Sequence, residues 1–468
     1  MMGFFSTVWT WLSRAQLTDG TADAQATPER RVDLAPLSPI GPTDAHSREA
    51  SFPGFRATAL DQLATQAADP SSRLAHIRLA LNDAFTPAQP VTERRRFAGR
   101  LDILVRLISA LEDQRAHVVL YGERGIGKTS LVHVLAGIAR DSRYHVAYAS
   151  CGAGARFQDV FRSVLQDIPM IYAASVDPAA TEVTQGANLA DLLPKGSFDA
   201  RQLGDICAGI TGTRILIILD EYDRTEDAIF RQHIAELIKN LSDRAARVQL
   251  VLAGVAGNLQ ELVGYIPSIR RNIVGLPVPR LARKEVEALI AIGEREAGLE
   301  FAAEAVNWID QVCHGSPYLA RLICHHAALA ALDAGRRIIG PDDIRLGLAQ
   351  IVEDAANRLG PVARAACPDV IQPDTAPALA AIALAAATPD GSFGAAEVGA
   401  ALAEPLPAKA IASALDHLQA QGLIGRTQEA ERTRFRFQDE AMPFYLWMAV
   451  AQKRLAAGAT QGSNLRAA

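Results

Sequence analysis

The chain has 468 residues, 49% hydrophobic and 21% charged, with a net charge of −5. Those are globular proportions for about two to four domains, and the acidic balance excludes a protein held on nucleic acid by its overall field. The five cysteines, Cys151, Cys207, Cys313, Cys324 and Cys367, are scattered and odd in number, which excludes a disulfide framework. No apolar run reaches the ~18 residues of a transmembrane helix, and the chain reads as cytoplasmic.

Residues 1–16 open with MMGFFSTVWTWLSR, which gathers Phe4, Phe5, Val8, Trp9, Trp11 and Leu12 on one helical face. A secretory signal needs a basic start and a longer apolar stretch. Three readings stand: an interfacial membrane anchor on the inner face of a membrane, a segment docking on a protein partner, and a terminal helix packed on its own domain. Residues 17–50 are polar, rich in Pro and Gly and without periodicity, as a disordered linker would be. Residues 51–95 carry helical spacing up to about 85, then break at Pro87 and Pro90.

From 96 to 278 helices alternate with continuous apolar strands. The predicted strands are 117–122, 144–150, 214–220 and 248–254; the helices cover 101–111, 129–139 and 228–241. Continuous strands separated by helices indicate a buried parallel sheet. Residues 279–358 read as a helical lid with no strands. Residues 370–450 read as three helices (378–387, 395–402, 408–420), a hairpin and a closing helix, and 451–468 as a flexible tail.

The segment Gly122-Glu123-Arg124-Gly125-Ile126-Gly127-Lys128-Thr129 has the form G-x-x-x-x-G-K-T between a strand and a helix. In that setting the backbone N–H groups from Gly122 through Ser130 close around a phosphate, and the helix N-terminus adds its dipole. Lys128 reaches the β/γ-phosphates and the Thr129 hydroxyl holds Mg²⁺. RILIILDEYDR supplies a buried strand with Asp220 at its C-terminal end, where open α/β sheets bind ligands. Asp220 orders the Mg²⁺ shell. Glu221 is placed to polarise an attacking water.

Over about residues 85–445 the chain resembles the AAA+/STAND branch of P-loop ATPases, near the archaeal-type and initiator-like members. RFAGRLDILVRLISAL (96–111) resembles the family's F-x-G-R motif, which implies that the backbone from Phe97 to Arg100 lines an adenine pocket. HGSPYLARLI (314–323) resembles the lid's G-x-P motif, placing Pro317 and Arg321 against the nucleotide. IPSIRRN (266–272) resembles the segment that offers an arginine, Arg270 or Arg271, to a neighbouring subunit's γ-phosphate; a surface basic pair is the alternative. Asn258 is the candidate for the polar sensor after the fourth strand. The resemblance implies an α/β fold, a P-loop NTPase parallel-sheet core with a helical lid and a C-terminal winged helix. It also implies ATP and Mg²⁺ as ligands, slow regulated hydrolysis and a homo-oligomer.

Cys313, His314, Cys324, His325 and His326 lack a zinc-ligand spacing and read as buried thiols beside surface imidazoles. The third helix of the C-terminal module buries Ile411, Leu415 and Leu418 and exposes Lys409, Asp416 and Gln419. That face is poor in base, so contact with a protein is favoured over DNA. Arg426, Arg432, Arg434 and Arg436 charge the wing, diluted by Glu429, Glu431, Asp439 and Glu440.

Overall fold

A computed structural model of the chain describes residues 70–175, 186–225, 227–264, 269–371, 375–386, 391–401, 406–429 and 432–458. The readings for residues 1–16 and 17–50, the helical spacing before residue 70, and Ile266, Pro267 and Ser268 lie outside the described residues.

Helix α1 (Pro70–Phe85) precedes the core, which begins with α2 (Leu101–Glu112) and alternates as β1 (His117–Gly122), α3 (Lys128–Asp141), β2 (His145–Ser150), β3 (Ile215–Asp220), β4 (Val248–Val255) and β5 (Ile273–Pro277). All five strands are parallel, in the order β2-β3-β4-β1-β5. The fifth strand, IVGLP, is short and interrupted by Gly and Pro, so its sequence carries little strand signal. Between β2 and β3 lie α4 (Phe157–Gln166) and α5 (Ala200–Ala208), which the sequence reading leaves unassigned. After β3 come α6 (Ala228–Asp243) and, following β4, the short α7 (Leu259–Val263). Every residue of β3 is buried, as its unbroken apolar run requires of a strand covered on both faces.

His117 starts β1 at 2% exposure, and its Nδ1 accepts the backbone N–H of Leu250. Burial lowers its pKa to about 4. Because the folded value lies below the unfolded one near 6.5, His117 supports the fold fully above about pH 6.5, and that support is lost as pH falls toward 4. Melting temperature is therefore expected to fall through that window, and His117→Gln to flatten the slope. A slope untouched by the substitution would place the acid sensitivity elsewhere.

The lid contains α8 (Arg283–Ala297), α9 (Ala303–Cys313), α10 (Pro317–Asp333) and α11 (Pro341–Arg358). The prediction of helices alone is corrected by a parallel pair of two-residue strands, β6 (Glu300–Phe301) and β7 (Ile338–Ile339), too short to leave a periodic signal. Helix α1 packs on α8 through Phe85, and a Cβ on Gly293 would stand 1.9 Å from the Phe85 ring. The N-terminal helix is thus seated in the lid's core with Val286 and Leu289. Cys313 and Cys324 are fully buried there, and burial pushes the Cys313 thiol up to about 12.

Beyond the lid lie α12 (Pro361–Val370), α13 (Ala376–Ala385), β8 (Ser392–Phe393), α14 (Ala395–Ala400), α15 (Ala408–Ala420), β9 (Ile424–Glu429), β10 (Arg432–Phe437) and α16 (Met442–Gly458). The strands pair in the order β8-β10-β9. Helix α13, APALAAIALA, is apolar all round and buried nearly all round, the central position such a helix demands. Helix α14 ends at Ala400; Leu402, predicted as its end, lies outside the described residues. The closing helix continues past residue 450 to Gly458 because Ala451 and Leu455 are buried against the same core. That core is continuous from the lid to α16. No described helix is long and apolar enough to cross a membrane.

Candidate nucleotide-binding site

The loop between β1 and α3 turns on Gly125 and Gly127, with φ of 71° and 90°. Those left-handed values are open to glycine and let consecutive N–H groups face one concavity above the N-terminus of α3. Ile126 is buried at 2% exposure and anchors the loop to the sheet. Lys128 is buried beneath the loop, and its Nζ donates to the loop's own carbonyls, Gly122 O at 3.0 Å and Glu123 O at 2.8 Å. Burial lowers its pKa to about 8, against the opposing pull of Asp223 and Asp220.

A second buried cation stands on the other side of the loop. Arg100 is 4% exposed, its pKa lowered to about 10 by burial. One Nη donates to Pro279 O, and a Cβ on Gly127 would stand 2.9 Å from the other. Its Nε has no hydrogen-bond partner among the described residues. Two desolvated cations on one glycine loop are chemically matched to a polyanion. Beyond the backbone that its motif implies, the Arg100 guanidinium faces the loop, while its own N–H donates to Glu285 Oε1 at 2.7 Å.

Gly99 makes that approach possible. Its φ is 71°, and a Cβ would stand 2.4 Å from Glu285 Oε1. The Glu285 carboxylate cannot move freely, since its other oxygen caps α8 through Ala282 N at 2.8 Å. Gly99→Ala is expected to destabilise the protein by about 2 kcal/mol and to weaken nucleotide binding, read from thermal melts and titration.

At the C-terminal edge of the sheet Ser150 and Asp220 are paired in register. Asp220 is 2% exposed; its oxygens accept from Tyr148 Oη at 3.0 Å and Glu221 N at 2.9 Å. Glu221 holds a left-handed backbone (φ 53°), an uncommon state for a side-chain-bearing residue that turns its carboxylate out of the strand. Glu221 Oε2 accepts from Ser150 Oγ at 2.9 Å and lies 3.4 Å from Arg224.

The lid reaches the loop through its own turn. Ser316 caps α10, and Pro317 begins it. A Cβ on Gly127 would stand 3.4 Å from Pro317 Cγ, and one on Gly125 3.6 Å from Tyr318 Cβ. Arg280 bridges the two bodies: Nε and Nη2 contact Glu123 at 3.2 and 2.7 Å, and Nη1 donates to His314 O at 3.2 Å. Gly315 (φ 70°) follows, where a Cβ would collide with Leu281 O at 2.6 Å.

The structure therefore gathers Gly122–Thr129, Arg100, Asp220, Glu221 and Pro317. Other predicted residues stand elsewhere. Ser130 Oγ accepts from Val91 N at 3.0 Å, tying the preceding segment to α3. Phe97 packs against the core beneath α2 and α3. Arg321 is one turn into α10, donating to Arg96 O at 3.3 Å and lining a cavity of about 100 Å³ with Gln89, Val91, Thr92 and Arg96. Asn258, the sensor candidate, caps α7: its side chain accepts from Glu261 N and donates to Glu261. Arg270 and Arg271 are exposed before β5, at the sheet edge opposite the loop, since Ile273 pairs with His117. Neither belongs to its own chain's cradle. Arg280, Glu285, Tyr148 and Ser150 were not foreseen. Only Glu285 had a signal, its spacing three residues after the helix start.

Residues 111–263, which hold the loop, Asp220 and Glu221, match the family model of an AAA domain. The core is an AAA domain. No curated protein matches the chain in sequence. Among solved structures, the chain is similar to Cdc6p from Pyrobaculum aerophilum, with 14% identity, 80% of this chain and 98% of that chain covered, and a TM-score of 0.43. It is also similar to the Walker-type ATPase paby2304 of Pyrococcus abyssi (16% identity, 77% and 98% covered, TM-score 0.44). A third similar structure is the RuvB Holliday junction branch migration motor of Thermotoga maritima (16%, 73% and 93%, 0.39). The lid turn that meets its loop, at Pro317 and Tyr318, lies outside the matched segment.

Proposed function

We propose that the chain is an ATP-binding and ATP-hydrolysing AAA+/STAND-type switch, in which nucleotide on the phosphate loop sets the position of the lid and the assembly of the protein. The observation that carries this reading is the meeting of lid residues Pro317 and Tyr318 with Gly127 and Gly125. A nucleotide seated on those glycines must contact or displace the lid turn, so its γ-phosphate has a mechanical output. Lys128 and Arg100 supply the charge for the phosphates.

The Thr129 hydroxyl and the Asp220 carboxylate are the hard oxygen donors that would hold Mg²⁺, which when bound neutralises phosphate charge. Glu221 would take the proton of the attacking water once free of Ser150 and Arg224. Arg270 or Arg271 of a second copy would complete the charge balance, making the working form a homo-oligomer.

The C-terminal module is read as a winged helix that contacts protein. Its third helix, α15, exposes Lys409, Asp416 and Gln419, a face poor in base, and Arg434 of β10 is bonded to Glu397 and Ser392, while Arg426 and Arg436 of the wing stay exposed. Residues 1–14 are assigned a peripheral membrane contact of a cytoplasmic protein. Phosphate release and light scattering with and without ATP test the reading. ATP-dependent assembly with slow release supports it; a monomer that releases no phosphate in any condition rejects it.

A further inference from the structure

The turn from Val312 to Tyr318 is held from three directions. From the core, Arg280 donates to His314 O while its other nitrogens hold Glu123 of the phosphate loop. Toward the loop, Pro317 and Tyr318 stand on Gly127 and Gly125. From the C-terminal module, Trp447 of α16 donates its indole N–H to Val312 O at 2.8 Å, and its ring lies 6.0 Å from that of His314. Val312 is the penultimate residue of α9, so its carbonyl is one of those a helix end leaves without an internal partner. His314 itself is left-handed (φ 47°), an uncommon state for a side-chain-bearing residue, and Gly315 follows at φ 70°, where glycine is at ease.

We propose that Trp447 is a positioning residue for nucleotide binding: it fixes the turn that sets where Pro317 and Tyr318 stand, and so links the C-terminal module to the phosphate loop through His314, Arg280 and Glu123. The proposal rests on the nucleotide reading above and names its regulation. Trp447 is 8% exposed, and its indole N–H and ring meet the turn at Val312 and His314. Helix α16 also packs on α11 and α13, so a partner that shifts the C-terminal module would alter the turn. By reciprocity, the factor by which Trp447 improves ATP binding is the factor by which ATP holds α16 in place.

The test is a cycle of four full-length proteins: wild type, Glu123→Gln, Trp447→Phe and the double variant. ATP affinity is measured by titration and folding by thermal melting. Trp447→Phe keeps an aromatic ring at the position and removes the donor together with part of the indole's volume, which is why folding is measured beside affinity. Each single variant is expected to weaken ATP binding about fivefold or more, the low end of ordinary coupling. The double variant is expected to be no weaker than the worse single within about twofold, because both residues act through one route. Effects that multiply, or a folded Trp447→Phe protein with wild-type affinity, overturn the proposal and leave the nucleotide reading intact. A wild type that binds no ATP removes both. Should Trp447→Phe not fold, a chain with Trp9, Trp11 and Trp308 changed to Phe decides. ATP is expected to shift the emission of its remaining Trp447, and an emission unchanged at saturation overturns the link.

Discussion

Lys128→Met is expected to lower ATP affinity by more than about a hundredfold while leaving the empty protein as stable as before. The two effects share one cause. Lys128 is a buried ammonium whose hydrogen bonds among the described residues go to the carbonyls of Gly122 and Glu123, and burial lowers its pKa from 10.5 to about 8. A shift of that size corresponds to a cost of up to about 3 kcal/mol for keeping the charge, offset by the two bonds. Methionine fills the same volume without the charge, so the melting temperature should hold within about 3 °C. In the proposed ATP complex the same ammonium would face phosphate oxygens, and deleting one partner of a desolvated ion pair costs about 3–5 kcal/mol. Titration with ATP and a thermal melt separate the two. A variant that binds normally would remove Lys128 from the phosphate site.

Glu221→Gln is expected to cut ATP turnover by about 10²–10⁴-fold with ATP affinity changed by no more than a few-fold. The amide keeps the side chain's length and can still meet Ser150 Oγ and the left-handed turn at φ 53°, so the fold of the site is preserved. What is lost is a carboxylate able to accept the proton of water. A fall in kcat without a rise in KM identifies an interaction used only in the reaction step. Equal phosphate release by both proteins would recast the chain as a scaffold that holds nucleotide.

The features legible in the sequence are those carried by neighbouring residues. Gly122 to Thr129 is one loop and the start of one helix, and Asp220 ends β3 with Glu221 next in the chain, so their spacing survives without knowledge of the fold. The features that needed the structure are pairings between distant segments. Arg280 meets Glu123 across 157 positions, and Trp447 meets Val312 across 135, with nothing local to mark either. Arg100 shows the intermediate case: its motif was legible, but the turn of its guanidinium toward Gly127 depends on Gly99 giving way to Glu285. Helix α1 joins the lid because Gly293 leaves room for Phe85, a fit that periodicity does not encode. Strand β5 escaped because five residues with a Gly and a Pro look like a loop.

Hydrogen exchange of the lid turn, residues 312–320, most directly tests whether nucleotide moves the lid. It is measured on the Glu221→Gln protein without nucleotide, with ADP and with ATP, so that the γ-phosphate persists. Local opening of a segment is read directly in its exchange rate. The account predicts exchange in this segment that differs between ATP and ADP, with the strand 215–220 unchanged. Identical exchange of residues 312–320 in all three states, at nucleotide concentrations that saturate the loop, would contradict it.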